Sequence, residues 1–310
     1  MAVRSRRSAH KRKPRSEGRL PRNAAPISLT ISHIGGRGDG VGSVRYTHHY
    51  TEAEYSVFVP ASLPGETIIA QPLSISKQGI KARIVELIDA APTRQTPQCN
   101  AFPACGGCSL QHWAATEIET WKHQLIGAHL DRARVTAGNI RPMLTSPPNS
   151  RRRASFHVRR LADAAVVGFH ERMGSHIVDP DGCTIIDRRL ASLKNALGAL
   201  ATTHFPIGAS LDAQVNLLTS DNTAAHSGQC VYLQNTSTQP LWSPDLLTRL
   251  CDWAASQQLA RLSIDDHATP LTIFAPTQPQ VKFGTIGVTP PPGAFLQATE
   301  HGEAALQTAI

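Results

Sequence analysis

No stretch of this chain approaches the roughly eighteen uninterrupted apolar residues that a membrane-spanning helix requires, and no apolar h-region follows its basic N-terminus. Without a secretory signal, the disulfide framework of a small secreted domain is not indicated either. Hydrophobic residues make up 41% of the 310, enough for ordinary cores and for two domains or more. The expectation is a soluble, cytoplasmic chain with no membrane partner and no indicated protein partner.

Net charge is missing from most of the chain as well. Residues 1 to 22 hold nine Lys/Arg and one Glu, whereas positions 23 to 310 hold 22 basic and 22 acidic residues, so the whole excess of +8 sits at the N-terminus. Such a segment cannot bury a core. A disordered basic tail is expected over 1 to 26, able to release counterions from a polyanion. A solubilising tail is the plainer alternative; a transit peptide lacks the amphipathic apolar face it needs.

From residue 27 onward, apolar and polar residues alternate with period two. "ISLTISH" (27 to 33) turns Ile27, Leu29 and Ile31 one way and Ser28, Thr30 and Ser32 the other. "VGSVRY", "YSVFVP", "TIIAQPLSI" and "IKARIVELI" repeat the pattern between turn residues. Five strands over 27 to 90 predict a small OB-like β-barrel. The Gly-rich "GGRGDGVG" (35 to 42) lacks the Lys-Ser/Thr and the following helix of a phosphate-binding loop, which leaves a glycine-permitted turn. Arg37 on that turn is a candidate for phosphate contact.

Cysteine is scarce, six in all, yet three fall in "CNAFPACGGCSLQHW". Cys99, Cys105 and Cys108 bring soft ligands toward one centre, and Gly106 and Gly107 let the backbone wrap closely. A fourth ligand is needed, and Cys183 in "VDPDGCTIID" follows a turn able to present it. Four thiolates serve zinc or an iron–sulfur cluster. The three-plus-one arrangement, with 74 residues between Cys108 and Cys183, lacks the paired Cys-x2-Cys knuckles that zinc favours and fits a cluster better. Cys230 and Cys251 read as small buried hydrophobes.

In "ATEIETWKHQLIGAHLDR" (115 to 132), Ile118, Trp121, Leu125, Ile126 and His129 fall at helical spacing, the pattern of a core-facing stripe. "RRRASFHVRR" (151 to 160) sets Arg151, Arg152, Arg153, Arg159 and Arg160 around Phe156 and His157. A solvated charged face explains it; RNA phosphate contact with base stacking is the alternative. His170, His176 and Asp265-Asp266 read most simply as surface or core residues.

The cysteine cluster with its distant fourth member, the strands ahead of it, "RRRASFHVRR" with "VGFHERMGSHIVDPDGC", and "PPGAFLQAT" together resemble the RNA (uracil-5-)-methyltransferase family, the m5U enzymes of 23S rRNA and tRNA. The resemblance runs from about residue 27 to the C-terminus. It implies an α+β chain with a TRAM-like RNA-binding barrel (27 to 90), a mixed α/β central domain (91 to 292) and the start of a Rossmann-like methyltransferase domain (293 to 310). It implies a [4Fe–4S] cluster on Cys99, Cys105, Cys108 and Cys183, with a structural and RNA-positioning role. RNA contact by Arg37, Arg151, Arg152 and Arg153 fits the same picture. Phe295 matches the position near the target base, and Gln297 the one that touches S-adenosylmethionine. RNA is the implied partner, rRNA first and tRNA second.

In that family a cysteine thiolate adds to C6 of a flipped-out uracil, C5 takes the methyl group, and a carboxylate removes the C5 proton. The Gly-rich donor loop, the Asp-Pro-Pro segment, the nucleophilic cysteine and the base glutamate are all lacking here. Cys230 and Cys251 precede Gln297, whereas the family's nucleophile follows it. The chain is therefore expected to be a truncated class I methyltransferase, inactive alone, with no catalytic residue of its own. The alternative is a stand-alone RNA-binding iron–sulfur or zinc protein.

Overall fold

A computed structural model describes residues 18–48, 51–218, 228–266, 269–283 and 285–309. It is a mixed α/β fold with four helices among the described residues. Two compact units divide it: Met1–Thr96 with Ser109–Ile140, and Pro97–Cys108 with Arg141–Ile310.

The first unit holds β1 (Gly18–Arg19), β2 (Ile27–Thr30), β3 (His33–Ile34), β4 (Gly40–His48), β5 (Thr51–Val59), β6 (Thr67–Ser76), β7 (Gly79–Asp89) and α1 (Ala115–Arg132). The strands form one sheet in the order β1-β6-β7-β5-β4-β3, with β2 also on β6. β2 also runs close to β4. A Cβ at Gly42 would stand 2.6 Å from the Thr30 carbonyl oxygen, so glycine there permits the sheet to curl. Alternation does the rest: Leu29, Ile31, Val57, Val59, Ile68, Ala70, Ile80 and Ala82 turn into one core.

The five expected strands match β2 and β4 to β7, and two short ones join them. β1 lies inside the expected tail: Gly18 and Arg19 pair with Ile75 and Ser74, and Leu20 is buried. Residues 1–17 of that tail lie outside the described residues. The Gly-rich stretch is a turn followed by a strand, with Gly38 at φ +82°. The segment after β7 is tied back by a buried ion pair. Glu66 accepts from Arg94 Nε (2.5 Å) and Nη2 (2.8 Å), from Leu63 N and from Ala91 N.

Helix α1, expected within the central domain, falls in the first unit instead. It buries no residue fully. Ile118 and Trp121 pack partly against Ile34, Leu63, Ala91 and Trp113, but Ile126 is 48% exposed. The expected core stripe is realised only in the first half of the helix.

The second unit contains β8 (Arg153–Arg160), β9 (Ala165–His170), β10 (Ile177–Val178), α2 (Arg188–His204), β11 (Ser210–Leu217), β12 (Gln229–Asn235), α3 (Pro244–Ser256), β13 (Arg261–Asp266), β14 (Thr269–Phe274), the hairpin β15 (Val281–Phe283) and β16 (Ile286–Val288), and α4 (Glu300–Ala309). Its main sheet runs β10-β9-β8-β11-β12-β13-β14. All pairs are antiparallel except β12 with β13, which α3 joins as a crossover. Both helices are capped at their N-termini, α2 by Asp187 and α3 by Ser243 ahead of Pro244.

α2 and α3 lay Leu190, Leu193, Leu197, Leu246 and Leu250 on one face of this sheet, against Phe156, Val158, Leu211, Ala213, Leu233 and Leu262. Each fully buried leucine contributes about 1.5–3 kcal/mol. The opposite face takes the other parity of every strand: Ser155, His157 and Arg159 on β8, Asp212 and Gln214 on β11, Gln234 on β12.

Candidate cluster site and nucleic-acid face

Residues 97–108 leave their sequence neighbours to join the second unit. They are stitched to the end of β9. Gly106 N donates to the His170 carbonyl (2.9 Å), Arg172 N to the Ala104 carbonyl (3.1 Å), and Arg172 Nη1 to the Cys108 carbonyl (3.3 Å). Gly106 is required by this approach, since a Cβ there would lie 2.6 Å from the His170 oxygen.

Cys99 and Cys105 are buried, Cys108 and Cys183 half-buried, and none of the six cysteines is in a disulfide. Burial pushes the Cys105 thiol up; the Gly107 N–H at 3.4 Å from its Sγ opposes this, and Cys99 and Cys183 raise it further. Cys99 and Cys183 are thus close enough to Cys105 to act on it electrostatically. Soft sulfurs with an N–H directed at one of them suit a thiolate-bound group. Among the described residues no three or more His, Cys, Asp or Glu converge as a metal-ion site.

The three adjacent arginines separate by strand parity. Arg151 is exposed and bridges to Ile186. Arg152 is only 2% exposed: Nε donates to the Gln297 carbonyl (3.1 Å), Nη2 pairs with Glu303, and Nη1 lies 3.9 Å from Glu300. Its backbone N also bonds the Ala298 carbonyl (2.8 Å). The expected RNA contact at Arg152 is therefore corrected: its guanidinium is turned inward and spent on carboxylates at the start of α4. Arg153 faces the other way, its guanidinium 4.2 Å from the centroid of Phe295, a ring left 73% exposed. Gln297 is half-buried. Arg152 thus meets the Gln297 backbone and Arg153 the Phe295 ring, from opposite sides of the strand. Arg37, on its exposed turn, belongs to the first unit.

Two features were not read from the sequence. His157 Nδ1 lies 2.6 Å from Asp212 Oδ1, and the His157 and His170 rings stack with centroids 3.7 Å apart. Cross-strand partners 55 residues apart leave no local signal. Asp265 is structural, accepting from Asn235 N and Trp242 Nε1. Cys230 is buried as expected and its thiol is pushed up to about 11 by that burial; Cys251 is half-buried with its Sγ 3.4 Å from the Ile273 carbonyl.

No family model matches the chain. An uncharacterized RNA methyltransferase of Caulobacter vibrioides is 32% identical, over 90% of this chain and 62% of that protein. Another from Brucella melitensis is 30% identical, over 89% of this chain and 60% of its own length. The 23S rRNA (uracil(1939)-C(5))-methyltransferase RlmD of Alkalilimnicola ehrlichii is 30% identical, over 60% of this chain and 40% of that protein. Among solved structures, Pyrococcus abyssi tRNA (uracil-54, C5)-methyltransferase in complex with S-adenosyl-L-homocysteine shares the fold, with a TM-score of 0.58 at 15% identity over 90% of this chain and 63% of that one.

These likenesses are to RNA methyltransferases, one of them a uracil-C5 enzyme of 23S rRNA. The chain spans about three fifths of the length of the curated relatives first matched.

Proposed function

We propose that this chain is the RNA- and cluster-binding portion of an S-adenosylmethionine-dependent RNA (uracil-5-)-methyltransferase acting on 23S rRNA, with tRNA as the competing substrate. The observation that carries this reading is the loop of Cys99, Cys105 and Cys108, folded onto the end of β9 by the bonds of Gly106 and Arg172. Those four cysteines hold a [4Fe–4S] cluster whose role is to fix the loop against the sheet. The curled sheet of the first unit acts as a TRAM-like OB barrel that binds RNA, Arg37 included.

Arg151 and Arg153 meet phosphates, Phe295 lies beside the target base, and Gln297 touches the methyl donor. S-adenosylmethionine supplies the methyl group when bound. Arg152 acts through the backbone, holding Gln297 and Ala298 in place. Neither remaining cysteine suits the nucleophile's part. Burial raises both thiols, with Asp252 adding to the effect at Cys251, and a thiol held protonated is a poor nucleophile. Methylation by these 310 residues alone is not expected.

Anaerobic purification tests the reading. A brown protein with about four irons and four sulfides per chain is expected. Cys183→Ser releases the cluster and Cys251→Ser keeps it. A colourless protein carrying a single zinc overturns the cluster.

A further inference from the structure

The helix-free face of the second unit's sheet carries a site that the methyltransferase reading does not use. On β8, His157 and Arg159 point to this face, with Arg159 exposed. From β11, Asp212 stands directly opposite His157 in the register. A carboxylate only accepts hydrogen bonds, so at 2.6 Å the His157 Nδ1 carries the proton and donates to Asp212 Oδ1. That bond fixes the ring's plane and leaves Nε2 on the other edge. The exposed His170 ring of β9 then stacks on His157 with 29° between the planes.

Metal binding does not explain this arrangement. Stacked rings send their nitrogen lone pairs out along parallel planes instead of toward one point, and no ion site gathers here among the described residues. A core role does not explain it either, since the apolar side of the sheet is the other one. What the pair offers is a rigid, oriented π surface with an outward ring face, a guanidinium two residues away on the same strand face, and the polar edges of Ser155 and Asp212. In the register Arg159 lies opposite Val166, four residues along β9 from His170, roughly 14 Å and so about two nucleotides of an extended strand away.

We infer that His170, backed by His157 and Asp212, is a stacking post for one unpaired base of the bound RNA, with Arg159 on a phosphate further along the strand. The inference rests on the proposed RNA binding and adds to it a subsite separate from Phe295 and Gln297. Unpaired bases splayed onto aromatic side chains of an open sheet are a general mode of RNA recognition.

The test is fluorescence anisotropy with the full chain and a short labelled single-stranded oligoribonucleotide, alongside its abasic counterpart at the same salt. On intact RNA, His170→Ala is expected to weaken binding about tenfold, and His170→Phe to keep it near the wild-type value. On abasic RNA the wild-type and His170→Ala chains bind alike, because no base remains to stack. Asp212→Ala, which frees the His157 ring without removing either imidazole, loses part of the affinity on intact RNA only. Equal binding of wild-type and His170→Ala to intact RNA, or an equal loss on both RNAs, overturns the stacking post and leaves the RNA-binding reading standing. A wild-type chain that binds neither RNA overturns both.

Discussion

The Arg153 guanidinium sits 4.2 Å from the centroid of the Phe295 ring, linking the first residue of β8 to a loop residue 142 positions later. A cation over an exposed ring contributes about 0.5–1 kcal/mol, too little to hold the fold. Phe295→Leu is therefore expected to leave unfolding free energy within about 1 kcal/mol of wild type. RNA affinity, measured by anisotropy, falls roughly five- to a hundredfold if a base stacks there.

Arg152 behaves in the opposite way. Arg152→Met strands Glu303 against a buried, uncompensated position and is expected to cost about 3–5 kcal/mol in denaturant unfolding. Pairing it with Glu303→Leu recovers part of that loss. The salt dependence of RNA binding stays at the wild-type slope, since the side chain has no phosphate to meet.

Glu66 gives the first unit an acid-sensitive element. Burial alone raises its pKa, but hydrogen bonds from Arg94, Leu63 and Ala91, with the Arg94 charge, outweigh it and hold the carboxyl below its ordinary value. A depressed folded-state pKa means that the stabilisation is present above the ordinary glutamate range and is lost as pH falls through the folded value. The difference in unfolding free energy between wild type and Glu66→Gln is expected to be large at neutral pH and to shrink below about pH 4.3. A difference that is flat with pH rejects this role.

Residues 1–17 carry seven Lys/Arg and one Glu, and deleting them spares β1. If they meet RNA phosphates, the slope of log affinity against log salt flattens by about 0.9 per lost contact with duplex phosphates. An unchanged slope identifies a solubilising segment.

Much of the first unit was legible because period-two patterning survives in strands of four or more residues. β1 and β3 were not, as two-residue strands have no period to show. The cysteine grouping was visible in spacing, but the transfer of 97–108 to the second unit depends on hydrogen bonds to residues 170 and 172 and has no local mark. Arg152 was readable and was missed: it shares parity with Ala154, Phe156 and Val158, all buried, while Arg151 and Arg153 do not. The His157–Asp212 pair was not readable, since register between β8 and β11 is set only once both strands are in the sheet.

That parity makes β8 intolerant of a change in length. The strand is paired on both sides, with β9 and β11. Deleting one residue between 153 and 156 moves every position before it to the other side of the sheet: Arg152 swings out and releases α4, and Arg153 is driven into the leucine layer. A substitution on the polar side alters one contact at a time, but an in-frame loss of one codon in this strand removes the helix anchor and the Phe295 contact together.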